Sequence, residues 1–226
     1  MSDPMLALEV LTGAVSVVGV VGTYVGRRMR RPLHPLLQGP PTAIAAAKEG
    51  PVKIAGALKI VDEPLRAPFS GRPCVYWEVV ISAKVFTISA YETEHRPIFY
   101  KRVARDFLVE DGTGTALVRC PSWLLDFVIE GDDYALDFPG REIQIQRFLS
   151  DYAYVPMIAH SGPCTYFERA LVAGDQVAVF GTGHRETDPD AAATGGSYRE
   201  RPTRLVVEPI EGRLHVSNVR DAMGPQ

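Results

Sequence analysis

Two short stretches of this 226-residue chain repeat the same residue types in the same order: SGRPCVYWE at Ser70–Glu78 and SGPCTYFE at Ser161–Glu168. Each brings a thiol, a phenol and a carboxylate together, as Cys74, Tyr76 and Glu78 and as Cys164, Tyr166 and Glu168. Such groups could serve as nucleophile and acid or base, with Glu78 and Glu168 as a pair of carboxylates. Alternation along a strand would set Cys74, Tyr76 and Glu78 on one face and Val75, Trp77 and Val79 on the other, and the second copy would do likewise. A paired site, a duplicated element and two strands that begin alike all fit. The residues flanking the copies do not match, which favours two strands of one sheet over duplication.

HSGPC places His160 four residues before Cys164, the ingredients of a Cys-His pair, but no neighbouring group in the sequence would lower the thiol pKa. The three cysteines, Cys74, Cys120 and Cys164, lack C-x-x-C spacing and cannot all pair, so they are expected free, in a reducing compartment. The histidines His34, His95, His160, His184 and His215 are dispersed, without metal-ligand spacing. EDGTGT, with Asp111, Gly112 and Gly114, lacks the lysine and following helix of a phosphate loop and reads as a hairpin turn. FGTGH is half of a dinucleotide fingerprint. No catalytic residue, metal or cofactor is expected.

The elements that position these residues are strands. Val52–Val61, Cys74–Ile88, two halves of Phe99–Cys120, the strictly alternating REIQIQRF of Arg141–Phe148, Gly174–Gly183, RLVVEP and RLHVSN all read as β, with Gly56 at a bend or bulge. A brief helical turn over Thr42–Glu49 has Thr42 as its candidate N-cap. The polar His184–Pro202 reads as a mobile loop. Many short strands predict a mainly β domain, an OB-like antiparallel barrel over residues 51–218, between a tail at 219–226 and a proline-rich linker at 27–50 that prolines and a glycine keep irregular.

Before the linker and after a four-residue tail, Met5–Gly26 is apolar with one charge, Glu9. As a helix it is about 33 Å long at ~1.5 Å per residue, enough for a hydrocarbon core of ~30 Å. Arg27, Arg28, Arg30 and Arg31 follow it, so the positive-inside rule predicts a single pass with the N-terminus outside and the β-domain cytoplasmic. The bilayer is thus one partner. From Pro32 onward there are 20 basic and 25 acidic residues, the wrong balance for a phosphate backbone, and nucleic acid is not expected.

In order and spacing, GPVKIAGAL, PLRAPFSGRPCVYWEVVI, FLVEDGTGTALV and YFERALVAGDQVAVFGTG, spanning about Gly50 to Gly183, resemble the GIDE domain, also called the beside-a-membrane or BAM domain. Gly174 and Asp175 belong to the last of these blocks. The resemblance implies a membrane-anchored protein associated with ubiquitination, the transfer residing in a C-terminal RING finger. The three cysteines and five histidines are dispersed and do not form the ligand set of a two-zinc RING, so ligase activity is carried over to no residue. The expected function is a non-enzymatic module at the membrane surface that binds a protein or peptide, with Glu92–Pro97 and His184–Pro202 as contact loops. The other reading is an accessory component of a ubiquitin-like ligase pathway.

Overall fold

The computed structural model describes residues 34–87, 92–121, 125–128, 134–135, 142–151, 164–188 and 202–223. The apolar run Met5–Gly26 lies outside them, and among the described residues no helix is long and apolar enough to cross a membrane. A helical turn α1 (His34–Leu37) and a 3-10 turn (Ile44–Ala46) precede β1 (Gly50–Ile60), β2 (Leu65–Arg66), β3 (Pro73–Cys74), β4 (Tyr76–Thr87), β5 (Glu92–Ala104), β6 (Phe107–Glu110) and β7 (Thr115–Val118). Then come β8 (Leu125–Val128), β9 (Tyr134–Ala135), helix α2 (Glu142–Asp151), β10 (Cys164–Leu171), β11 (Gln176–Thr187), β12 (Thr203–Glu208), β13 (Leu214–Ser217) and a second 3-10 turn (Arg220–Met223).

Five strands close a barrel in the order β1-β6-β7-β12-β11, with β11 pairing back to β1; β13 and β8 extend the sheet from β11. The expected barrel is present, but it is mixed rather than antiparallel, because β7 and β12 run parallel. The reason is topological. Directions can alternate all the way round a closed ring only when the strand number is even, so an odd ring must contain a parallel junction. Period-2 alternation fills the interior with Val52, Ile54 and Leu58 of β1, Phe107 and Val109, Ala116 and Val118, Val177 and Val179, and Leu205 and Val207. At Gly56–Ala57, β1 passes from β11 to β6, and a Cβ on Gly56 would lie 2.2 Å from the Glu110 carbonyl oxygen. Close approach, rather than a bulge, explains this glycine.

The chain leaves the barrel twice, between β1 and β6 and between β7 and β11, and both excursions meet in a second sheet ordered β5-β4-β10-β9. One face of that sheet packs Trp77, Val79, Ile81, Phe99 and Ala170 against Ala67, Phe69, Cys74, Phe148 and Leu149. Phe148 is the hub, its ring centroid 5.3 Å from Phe69, 5.6 Å from Phe99 and 6.1 Å from Trp77, each edge-on. These are the spacings at which aromatic rings attract beyond their buried area.

Four expectations are corrected. Arg141–Phe148 is not a strand: Glu142–Asp151 is helical, with Ile145, Phe148 and Leu149 on its packed face at i, i+3 and i+4, a spacing that an alternating run of isoleucines masks. His184–Thr187 belongs to β11, paired with Thr203–Val206 of β12, and not to a loop; residues 189–201 lie outside the described set. Glu92–Pro97 likewise belongs to β5. The linker is not irregular throughout, because Pro35 falls in the first turn of α1, where its missing N–H removes no helical bond. From Leu36 onward the linker is part of the body. Leu36 is buried with Ala178, Val219 and Ala222, the buried Lys53 ammonium donates to the Gly39 carbonyl at 2.9 Å, and the Thr42 N–H donates to the Lys53 carbonyl at 2.7 Å. Burial pushes the Lys53 amine below its usual value.

Truncating Phe148 to alanine is expected to cost about 3–5 kcal/mol of stability, the range for a large aromatic deleted from a packed core. Urea unfolding of the variant checks this. A loss under ~1 kcal/mol would show that α2 is not part of the cooperative core.

Candidate functional site

The echoed stretches form neighbouring antiparallel strands, β4 and β10, but their register separates the two glutamates. Glu168 is opposite Val79 and Glu78 is opposite Arg169, so the carboxylates stand on opposite faces of the sheet. A site built from Glu78 and Glu168 together is therefore ruled out by geometry. The first copy also breaks its alternation. Val75 is a bend between β3 and β4, which puts Cys74 in the core beneath α2 and Tyr76 in the barrel core.

Glu168, only 1% exposed, accepts the backbone N–H of Phe69 at 2.5 Å and that of Ser70 at 3.1 Å. Its carboxylate thereby closes the turn between β2 and β3, satisfying donors that would otherwise be buried unpaired. Glu78 serves a different network: its Oε2 accepts the Tyr76 hydroxyl at 2.8 Å and the Tyr100 hydroxyl at 2.9 Å, and its Oε1 lies 3.3 Å from the Arg169 guanidinium. Tyr166 packs edge-on against Phe69, 6.2 Å between centroids, and burial raises its phenol pKa.

All three cysteines stand as thiols outside any disulfide, as their number and spacing predict. Burial first, and then the neighbouring Glu168 charge, push the Cys74 thiol up to about 12; burial raises Cys120 and Cys164 as well. A nucleophilic thiol requires the opposite shift. His160 lies outside the described residues. Among those described, no group of three His, Cys, Asp or Glu side chains could hold a metal ion.

The Asp111 hairpin has a structural task. Gly112 and Gly174 take φ of 82° and 91°, the left-handed values that their turns require. Asp111 Oδ1 accepts N–H groups from Thr113 and Gly114 within the turn, and its Oδ2 accepts the Ile44 N–H at 2.7 Å. Thr113 Oγ1 accepts the Ala45 N–H at 3.2 Å, while the Arg185 guanidinium donates to the Ile44 and Ala45 carbonyls at 3.0 and 3.1 Å. The 3-10 turn that seats Ile44 in the barrel core is thus capped at both poles by residues distant in sequence. The expected local cap, Thr42, is not used: the N-cap position is Ala43, with no side-chain bond. Gly114 lies beneath this turn, where a Cβ would meet the Ile44 side chain at 3.2 Å. Asp175 closes the turn after β10, accepting the Val172 N–H at 2.9 Å, and its carbonyl accepts the Leu58 N–H of β1.

Several polar partners were not found from the sequence. Arg119 lies 2.8 Å from both Glu186 and Glu208, and His184 Nε2 is 2.9 Å from Glu186, forming one network on the outer barrel wall. Separations of 67 and 89 residues leave no local spacing to detect. Arg169 and Tyr100 could have been found only from the register of β10 and β5 on β4.

Partial burial opposes the charge on Asp111, but the N–H of Ile44 and the donors of Thr113 and Gly114 outweigh it and hold the carboxyl below the usual carboxylate value of 3.8. A depressed folded pKa stabilises the protein fully above the unfolded value and is lost as pH falls through the folded one. Asp111→Ala is therefore expected to cost about 1–2 kcal/mol at neutral pH, as for a lost helix cap, with the gap to the parent closing below pH 3.8. Urea unfolding across that pH range checks both statements. A constant gap would contradict the role of the charge. In a second measurement, alkylation should modify the native protein slowly at mildly alkaline pH and the denatured, unreduced protein at three thiols. Rapid native labelling of Cys74 would show its burial to be wrong.

Comparison with family models, curated proteins and solved structures finds no match for this chain.

Proposed function

We propose that this chain is a membrane-anchored, non-enzymatic protein- or peptide-binding module of the GIDE type, held by Met5–Gly26 with its β-domain in the cytoplasm. The observation that carries this reading is the employment of the acids the sequence singles out. Asp111, Glu168 and Asp175 accept backbone N–H groups of the chain itself, and Glu78 accepts two tyrosine hydroxyls beside Arg169. A general acid or base must be available to a substrate proton, whereas these carboxylates are committed to turns and to a sheet. The strand order, with five strands closing as first, second, third, fifth and fourth, supports an OB-type barrel, a scaffold that presents a wall and loops for recognition.

Glu92–Pro97 and His184–Thr187 lie in strands and residues 189–201 lie outside the described set; the contact surface proposed is the outer barrel wall, where Arg119, His184, Glu186 and Glu208 form a partly exposed polar network. Exposed ion pairs contribute only about 0–1 kcal/mol to folding, so such a network can be altered without unfolding the barrel. Cross-linking in native membranes, followed by purification of the full chain, should recover a protein partner, and Arg119→Ala should reduce that recovery several-fold while leaving the thermal midpoint nearly unchanged. Equal recovery from both proteins would remove the wall from the reading. Zinc-dependent ubiquitin chain formation by this chain, with only activating and conjugating enzymes added, would overturn the non-enzymatic assignment.

A further inference from the structure

We infer that the barrel docks against the lipid surface through one defined face, formed by α1 and the second 3-10 turn. The inference rests on the reading of Met5–Gly26 as a membrane span and adds to it which side of the domain meets the headgroups. The argument is one of chain length. If the span ends at Gly26, the arginines up to Arg31 occupy the headgroup region. From Arg31 to Leu36 there are five residue steps, which reach at most about 18 Å in any conformation. At Leu36 the tether ends, because that side chain is buried against Ala178, Val219 and Ala222 and the following segment is fixed by the bonds of Lys53 and Thr42 to Gly39 and to β1.

A chain of this size folds into a body about 40 Å across. A tether of 18 Å therefore keeps the Leu36 side of the barrel near the lipid and the opposite side far from it. In ring order that opposite side is β7, two strands removed from both β1 and β11.

The side chains on the near face suit an interface. Leu37, beside the buried Leu36, is 51% exposed, one of only two exposed large hydrophobic residues among those described. The adjoining 3-10 turn exposes Arg220, with Asp221 beside it, and Met223 is partly buried against the same cluster. An exposed apolar side chain on such a face inserts shallowly at the boundary of headgroups and acyl chains. The charges of Arg220 and Asp221 cancel, so apolar insertion and tether length, rather than a basic patch, hold this face down.

The test uses the full chain in vesicles of phosphatidylcholine with a minority of phosphatidylserine, containing a lipid that carries a quencher on its headgroup. Leu37→Cys and Thr115→Cys, the latter on β7, each receive an environment-sensitive fluorophore; labelling of the native thiols, of which Cys164 is partly exposed, is measured on the parent and subtracted. Quenching of the Leu37 label several-fold above that of the Thr115 label is expected, and a long glycine-serine insertion between Arg31 and Pro32 should reduce the difference. Equal quenching at the two positions, or none at Leu37, in protein that resists carbonate extraction would overturn the docking face and leave the anchor standing. Release of the protein by carbonate would overturn the anchor and the docking face together.

Discussion

The structure depends on β1 having both edges hydrogen-bonded. Over Gly50–Ala57 it pairs with β11, and over Ala57–Ile60 with β6, so the strand that opens the domain also closes it. Closure removes the unpaired edges that make open sheets prone to association. Asp175 serves the same junction, since the turn before β11 exchanges backbone bonds with Leu58. Because the ring has five members, closure imposes the parallel β7–β12 contact, and that contact needs a connection long enough to turn the chain round. The excursion through β8, β9, α2, β10 and β11 supplies it. Of the second sheet, β9 and β10 lie on that connection, whereas β4 and β5 lie on the other excursion, between the antiparallel β1 and β6.

The two units are joined at Cys74–Tyr76. The bend at Val75 lets one short segment send Cys74 into the α2-covered core and both Val75 and Tyr76 into the barrel core. The Val75 N–H donates to Leu171 at the end of β10, and its carbonyl accepts the Arg105 N–H just before β6. The returning ends of both excursions, Arg105 and Leu171, are therefore bonded to Val75 where β4 begins, so movement of the sheet relative to the barrel would break both bonds.

How much of this was legible follows from the range of each signal. The hairpin at Asp111–Gly114 and the alternation of β1, β11, β12 and β13 depend on neighbours a few residues apart, and the sequence displays them directly. Glu142–Asp151 misled because isoleucines at alternate positions satisfy the strand pattern, while the helical face appears only when Ile145 is grouped with Phe148 and Leu149. The face change at Val75 could not be read, since alternation assumes a continuous strand. Thr42 looked like a cap by type and place, yet Asp111 performs the task from 67 residues away. That partnership exists only once the β6–β7 hairpin is joined to β1 through β6.

The same long-range capping explains why the residues most suggestive of chemistry lie at turns. A turn closed by its own sequence needs only glycine, proline or a neighbouring side chain. Where a turn must also pack against a distant strand, an ionised carboxylate is more effective, because charge-assisted hydrogen bonds are roughly twice as strong as neutral ones and one group can accept two or three. Glu168 at the β2–β3 turn and Asp111 at the barrel end each join a turn to a different element, whereas the Asp175 carboxylate closes its own turn and only its backbone carbonyl reaches β1. In the sequence they resemble acids of a paired or phosphate-binding site, since such a site is also made of carboxylates next to glycine and small residues. What separates the two readings is the donor each acid faces. Here the donors are backbone N–H groups of the chain itself, which assigns these carboxylates to holding the scaffold.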